Sequence, residues 1–146
     1  MRSEKSCGAI VFRFENGKLL YLLLFGPTYW GFVKGLVEKG ETEEQTTLRE
    51  AEEETGMKIK LLPRFKEKIN YTYKFDGELI KKEAVFFAAE APTPEVKLSQ
   101  EHEDFKWLEF EEALKLVKYK NQKEILKRAH EFILELAKQK RLDYSR

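Results

Sequence analysis

Residues 35–57 of this 146-residue chain read GLVEKGETEEQTTLREAEEETGM, and this stretch decides the fold. Thr42 is a good helix N-cap, because its hydroxyl oxygen can accept a hydrogen bond from a backbone N–H of the first turn. Gly56 stands where a glycine commonly ends a helix. The stretch therefore predicts a loop followed by a helix over residues 45–55.

Three glutamates of this predicted helix fall on one face. Glu50, Glu53 and Glu54 are spaced i, i+3 and i+4, which brings their carboxylates together, while Leu48 and Ala51 are expected to meet a sheet. Like charges at this spacing repel each other, so a divalent cation that prefers oxygen ligands would stabilise the cluster. The same run also fits a solvated face of a glutamate-rich helix, and the helix alone does not separate the two interpretations.

The sequence on either side of this helix predicts mainly strands. Two apolar runs around a turn, residues 7–14 and 19–25, indicate a β-hairpin, and residues 26–40 read as a loop. Further strands are predicted over residues 59–65, 68–75, 83–89 and 105–110, and helices over residues 111–117 and 121–140. Apolar residues recur at helical spacing in the last helix, so we expect it to cover the sheet.

Composition limits the class of protein. Lys and Arg number 27 against 26 Asp and Glu, and this balance gives no general attraction to DNA or to a membrane surface. Cys7 is the single cysteine, which excludes an intrachain disulfide and fits a reducing cytoplasm. The longest apolar run is far shorter than the roughly 20 residues that span a bilayer. We expect one cytoplasmic domain over residues 1–146, monomeric by default. The high content of Glu and Lys is typical of hyperthermophile proteins.

The spacing across residues 35–57 resembles the Nudix box, in which Gly, five residues, Glu and seven residues precede Arg-Glu-U-x-Glu-Glu-x-Gly-U, with U aliphatic or similar. The matching positions are Gly35, Glu41, Arg49, Glu50, Ala51, Glu53, Glu54, Gly56 and Met57. The resemblance implies the α+β Nudix fold, a mixed, curved sheet sandwiched between helices. It also implies a hydrolase in which Glu50, Glu53 and Glu54 hold Mg²⁺ or Mn²⁺ against a diphosphate. Arg49 would orient these acids through ion pairs, and at i+4 it can reach Glu53.

Four segments outside the box carry a further resemblance: Tyr29-Trp30 followed by Lys34-Gly35, Asn70-Tyr71, the Leu98-Ser-Gln-Glu-His102 to Trp107-Leu108 segment, and Tyr119 after Glu111-Glu-Ala113. They resemble the asymmetric diadenosine tetraphosphate hydrolases of that family. By this resemblance Tyr71 and Tyr119 would sandwich an adenine between their rings. Lys34 and Lys82 match positions that contact the phosphate chain, and Glu101 matches a fourth acidic metal ligand. Each lysine has an ordinary solvent-exposed alternative in so lysine-rich a chain, and each tyrosine alone fits a half-buried aromatic residue.

The chain departs from that subgroup at three positions. Tyr29 stands where histidine is usual, and Val33 and Lys39 stand where proline is usual. The resemblance predicts in-line attack of water on phosphorus with Glu54, or else Glu101, as general base, and diadenosine tetraphosphate would give ATP and AMP. A house-cleaning nucleoside triphosphatase, an RNA 5′-end pyrophosphohydrolase and a non-catalytic nucleotide-sensing module are the alternatives.

Overall fold

A computed structural model of the protein describes the backbone of residues 2–144 and the side chains of residues 2–140. Within that range the chain forms seven strands and three helices. In order they are β1 (Arg2–Glu15), β2 (Lys18–Phe25), β3 (Trp30–Gly31), β4 (Val33–Leu36), α1 (Glu43–Thr55), β5 (Lys60–Phe75), β6 (Glu78–Glu90), β7 (Asp104–Leu108), α2 (Phe110–Leu116) and α3 (Lys120–Tyr144).

All seven strands belong to one mixed sheet. Its main path runs β3-β2-β1-β6-β5, and β4 and β7 add to β1 and β2, respectively. The central pair β1 and β6 is parallel, whereas the other pairs are antiparallel. The long β1 pairs with β4 through residues 6–9 and with β2 through residues 12–15, so both strands lie on the side of β1 opposite β6.

Helices cover both faces of the sheet. Along β1, Ile10 and Phe12 face the apolar cluster that includes α2 and α3, while Ala9 and Val11 face the cluster that includes α1. This alternation follows from the two-residue repeat of a strand that is buried on both sides. The apolar face predicted for α3 is in the core, with Ile125, Leu126, Ala129 and Ile133 all buried. The predicted α+β fold with helices on both sides of a mixed sheet is confirmed.

Helix α1 begins and ends as its sequence predicts. Thr42 accepts a hydrogen bond from the backbone N–H of Gln45 at 3.1 Å, and the Gln45 side chain accepts one from the Thr42 N–H at 2.9 Å. This capping box starts the helix at Glu43, two residues earlier than expected. Gly56 ends it in the left-handed region, with φ of 75°. The cap and the glycine together set the two ends of the helix that carries the acidic face.

The prediction that Leu48 packs on the sheet is wrong. Its side chain is 40% exposed, whereas Ala51, Thr46 and Thr47 are fully buried. The threonines can replace a leucine at this interface because their hydroxyls are paired locally. The Thr47 hydroxyl donates to the Glu43 carbonyl at 2.9 Å, so burying it leaves no unpaired polar group.

Two segments differ from the sequence prediction in the elements they form, and β1 and β6 each begin five residues earlier than predicted. The strands expected over residues 59–65 and 68–75 form a single β5, interrupted by an irregularity between Leu61 and Lys66 where Arg64 adopts a φ of 75°. The loop expected over residues 26–40 contains the short strands β3 and β4. These strands are too short for an alternation of apolar and polar residues to predict them from the sequence. They become strands by pairing with β1 and β2. None of the helices in the described range has the length and apolar content needed to cross a membrane.

Candidate active site

Arg49 lies at the centre of a network on the acidic face of α1. Its Nε and Nη2 donate to the two carboxylate oxygens of Glu41 at 2.7 and 3.0 Å, a two-pronged pairing that fixes the guanidinium plane. Its Nη1 donates to Glu50 at 2.7 Å and to Glu53 at 3.2 Å. A further bond reaches the Leu36 carbonyl at 3.0 Å. The predicted contact with Glu53 is present, and Arg49 also pairs with Glu41 and Glu50 and lies 3.5 Å from Glu38.

Glu41 is a residue whose part in this network the sequence analysis did not foresee. Besides Arg49, its carboxylate accepts the Thr46 hydroxyl at 2.8 Å and the backbone N–H of Glu38 at 3.0 Å. These donors, Arg49 first among them, hold the pKa of Glu41 at about 2. Glu41 therefore stays ionised and anchors Arg49 from the loop side. Its fixed place in the box was the available signal, but spacing alone did not identify its partner.

The carboxylate of Glu50 lies directly over Gly35 at the end of β4. A Cβ atom at position 35 would come within 2.0 Å of the Glu50 Cδ, so only glycine permits this approach. The Glu50 side chain is largely enclosed, and burial raises its pKa although Arg49 opposes the shift. Gly35 thus allows an acid of α1 to reach the sheet edge.

Glu54 is the most enclosed acid of the group, with 6% of its surface exposed. Its carboxylate accepts a hydrogen bond from the backbone N–H of Lys34 at 3.2 Å. Burial, together with the charges of Glu50 and Glu101, raises the pKa of Glu54 to about 8 against the effect of that bond. No lysine or arginine whose side chain is described forms an ion pair with it. A buried carboxylate without a cation is costly, and a bound cation would remove that cost.

The loop that carries Glu101 crosses the end of α1. The backbone N–H groups of Lys97 and Ser99 donate to the carbonyls of Thr55 and Glu54 at 2.9 and 3.3 Å. These bonds satisfy carbonyls that the last turn of any helix leaves unpaired. They also bring Glu101 close enough for its charge to raise the pKa values of Glu50 and Glu54.

The four predicted metal ligands, Glu50, Glu53, Glu54 and Glu101, therefore gather at one end of α1. Within residues 2–140 no three acidic, histidine or cysteine side chains already stand in a metal-binding arrangement, and Arg49 pairs with Glu50 and Glu53. The four predicted ligands nonetheless offer only carboxylate oxygens. The last turn of α1 contains no basic residue that would compete with a cation. Such a set fits a hard divalent cation such as Mg²⁺ or Mn²⁺.

Three of the predicted substrate residues lie on the face of the sheet opposite α1. In the strand register Lys34 pairs with Gly8 of β1, and Lys82 of β6 lies between Glu4 of β1 and Tyr71 of β5. Glu4 and Gly8 are an even number of residues apart, so Lys34 and Lys82 share one face. The backbone of Lys34 binds Glu54 while its side chain belongs to this face. The β4 edge therefore connects the acids with the lysines.

Tyr119, at the start of α3, forms an aromatic pair that was not predicted. Its ring meets the Tyr29 ring edge-on, with centroids 5.4 Å apart and planes at 88°, and 46% of Tyr119 is exposed. Tyr119 also borders a surface hollow of about 470 Å³, lined as well by Lys120, Asn121 and Glu124. Tyr71 instead neighbours Tyr73, with ring centroids 6.3 Å apart. The structure thus adds Tyr29 as a ring partner of Tyr119, at a position where the chain departs from the subgroup pattern. The stacking of an adenine between Tyr71 and Tyr119 stays a prediction.

The family profile described as NUDIX domain matches residues 4–129 of this chain. The chain belongs to the Nudix family. This Nudix chain is 33% identical over 143 residues to the bis(5′-nucleosyl)-tetraphosphatase [asymmetrical] of Mus musculus, covering 88% of this chain and 95% of the mouse protein. Its Sus scrofa counterpart is 33% identical over 147 residues, covering 91% and 97%. A binary complex of the C. elegans Ap4A hydrolase superposes with a TM-score of 0.77 at 28% identity, covering 90% and 98%.

Family membership makes this protein a Nudix hydrolase, an enzyme class that uses divalent metal ions and acts on small nucleotides. It also agrees with the resemblance that residues 35–57 carry. The roles of the individual side chains are not decided by these comparisons, so Lys34, Tyr71, Lys82 and Tyr119 stay predicted substrate contacts. The predicted metal ligands stay candidates on the same grounds.

Proposed function

We propose that this Nudix hydrolase cleaves diadenosine tetraphosphate asymmetrically, in a Mg²⁺-dependent reaction that yields ATP and AMP. The observation that carries the proposal is the 33% identity, along nearly the whole chain, to proteins named asymmetric bis(5′-nucleosyl)-tetraphosphatases. The full set of box acids supports it, because hydrolysis of a phosphoanhydride needs a cation site at the diphosphate.

In the proposed site Glu50, Glu53, Glu54 and Glu101 would hold the cation. Bound Mg²⁺ or Mn²⁺ would supply charge neutralisation for the diphosphate and make the attacking water more acidic. Arg49 keeps Glu50 and Glu53 oriented through its bonds at 2.7 and 3.2 Å. Orientation matters because a misplaced ligand costs both affinity and rate.

Glu54 is the proposed general base. A bound cation would keep this enclosed carboxylate ionised, and the Lys34 backbone N–H holds it at 3.2 Å, so it could receive a proton from an in-line water. Glu101 is the second candidate, since it comes from a separate loop beside the same acids. Lys34 and Lys82 would offset the negative charge of the phosphate chain, and Tyr71 and Tyr119 would bind an adenine between them.

A substrate panel with Mg²⁺ and chromatographic separation of products tests the proposal. We expect diadenosine tetraphosphate to be turned over with the highest kcat/KM and to release equal amounts of ATP and AMP. Hydrolysis in ¹⁸O-water would then label the product that carries the attacked phosphorus. The proposed substrate would be wrong if the enzyme preferred nucleoside triphosphates, with release of pyrophosphate, or triphosphorylated RNA ends. Nucleotide binding without turnover would indicate a sensing module.

A monomeric state in a reducing cytoplasm is also part of the proposal. Cys7 is fully buried, and that burial raises the pKa of its thiol to about 11. A thiol of this kind is unreactive and inaccessible to a partner cysteine. Light scattering that gives a mass above that of one chain, 17.3 kDa, would contradict the monomer.

A further inference from the structure

Lys82 carries an ammonium group that the fold has taken almost out of water. Only 8% of the residue is exposed, and burial lowers its pKa, with Lys34 adding to the shift. A buried lysine needs a counter-charge to remain ionised. The structure provides one, because the Lys82 Nζ lies 3.4 Å from a carboxylate oxygen of Glu4.

The same oxygen of Glu4 is fixed by a second donor. The Tyr73 hydroxyl donates to it at 2.6 Å, a short bond of the kind that a charged acceptor forms. The other carboxylate oxygen faces Arg2 at 3.5 Å. Tyr73 and Arg2 therefore hold the Glu4 carboxylate from two sides, and this leaves one oxygen turned to Lys82.

The three members of this cluster sit on three neighbouring strands. Glu4 is in β1 and pairs in register with Lys82 of β6, and Tyr73 of β5 is two residues from Tyr71, the other register partner of Lys82. Strand positions of this kind are more rigid than loop positions, which suits a group that must stay in place. Lys82 is thus held by neighbours that all belong to paired strands.

We infer that Glu4 and Tyr73 are positioning residues for substrate binding, which hold the Lys82 ammonium where it meets the phosphate chain. The inference rests on the proposed function, in which Lys82 contacts that chain. Glu4 supplies the charge that keeps Lys82 ionised inside the sheet face, and Tyr73 fixes the oxygen that Lys82 uses. Neither residue belongs to the Nudix box, and neither was singled out from the sequence.

Steady-state kinetics of Lys82→Met, Glu4→Gln, Tyr73→Phe and the two double variants with Lys82→Met test this inference, with the best nucleotide of the substrate panel. We expect Lys82→Met to raise KM by about tenfold, and Glu4→Gln and Tyr73→Phe to raise it by roughly threefold to tenfold, with kcat within about twofold in all three. In the Lys82→Met background the other two changes should have no further effect on KM, because they act through Lys82.

The matched control is Glu78→Gln. Glu78 pairs with the same Arg2 at 3.7 Å but is exposed at the turn between β5 and β6, so its KM should stay unchanged. Tyr73→Phe removes a single oxygen atom and keeps the inference testable if Glu4→Gln folds poorly. Inorganic tripolyphosphate is a second probe, since its inhibition constant should rise in the same variants without any contribution from the nucleoside.

The outcomes separate this inference from the proposed function. If Lys82→Met raises KM while Glu4→Gln and Tyr73→Phe do not, the positioning roles are overturned and the phosphate contact stands. If Glu4→Gln raises KM equally in the parent and in the Lys82→Met background, its role is a general structural one, and the inference is overturned as well. If Lys82→Met leaves KM and tripolyphosphate inhibition unchanged, both the phosphate contact and its positioning fail, whichever nucleotide the panel identifies.

Discussion

Two parts of the site differ in how firmly the chain fixes their side chains. The acid end consists of Glu41, Arg49, Glu50, Glu53 and Glu54, and the aromatic end consists of Tyr29 and Tyr119. At the acid end a single guanidinium makes five hydrogen bonds at 2.7 to 3.2 Å. At the aromatic end the contact is between the two rings, with centroids 5.4 Å apart, and Tyr119 is nearly half exposed.

This difference follows from what each end would have to bind. A cation and a diphosphate require charges at set distances, and preorganised charges lose little energy to rearrangement when the reaction occurs. A nucleobase requires only a flat apolar surface, and rings can adjust to it at low cost. We therefore expect changes at the acid end to lower kcat, and changes at the aromatic end to raise KM.

The largest effect is expected from Glu54→Gln. Loss of the proposed base should lower kcat by about 10²-fold or more, with a smaller change in KM. Without metal the variant should melt at a higher temperature than the parent, because the change removes a buried carboxylate that lacks a cation partner. Glu52→Gln, on the exposed side of the same turn, is the control and should match the parent in both measurements. Near-normal turnover of Glu54→Gln would transfer the role of base to Glu101.

Arg49→Lys should have the next largest effect. A lysine ammonium cannot bind Glu41 with two parallel bonds and also reach Glu50 and Glu53, so the acids would lose their common orientation. We expect kcat to fall about 10-fold to 100-fold and the affinity for Mg²⁺, measured by calorimetry, to fall with it. Arg128→Lys, in the exposed pair with Glu67, is the matched control and should leave both values unchanged. A loss confined to thermal stability would mean that Arg49 supports the fold and not the chemistry.

The contrast between the two ends also explains what the sequence could predict. The acid end is encoded within 23 residues at fixed spacing, and helical geometry converts that spacing directly into a shared face for Glu50, Glu53 and Glu54. The capping residues Thr42 and Gly56 were readable for the same reason, since caps depend on local backbone bonds. Local chemistry of this kind does not depend on how the rest of the chain packs.

Features that depend on distant pairing were not predictable. Tyr29 and Tyr119 are 90 positions apart, and their contact requires both the β2–β3 turn and the start of α3 to be in place. The Glu4–Tyr73–Lys82 cluster depends on the register of three strands, which no single segment specifies. The exposure of Leu48 was missed because helical spacing defines a face but does not say which of several faces meets the sheet.

At the aromatic end, Tyr119→Ala should raise KM by about tenfold, which corresponds to the loss of one stacked base, while kcat changes little. Tyr119→Phe keeps the ring and should stay near the parent value. Tyr29→Ala should give part of the same rise, because it removes the ring against which Tyr119 packs. Initial rates over a range of substrate concentrations measure these effects. A fall in kcat with unchanged KM would contradict the division between the two ends.

The smallest expected effect concerns the acid stability of Glu41→Gln. The folded pKa of Glu41 is held near 2, below its ordinary value of 4.5, mainly by the bond from Arg49. A group with a depressed folded pKa stabilises the native state above its unfolded pKa, and this contribution is lost as the pH falls through the folded value. The parent should therefore melt at a higher temperature than Glu41→Gln at neutral pH. That difference should shrink between pH 4.5 and about 2, where Glu41 becomes protonated in both states.

Melting curves of both proteins across this range measure it, with Glu52→Gln as the reference for a carboxylate at an exposed position. A difference that stays constant down to pH 2 would mean that the contribution of Glu41 does not come from its charge on Arg49.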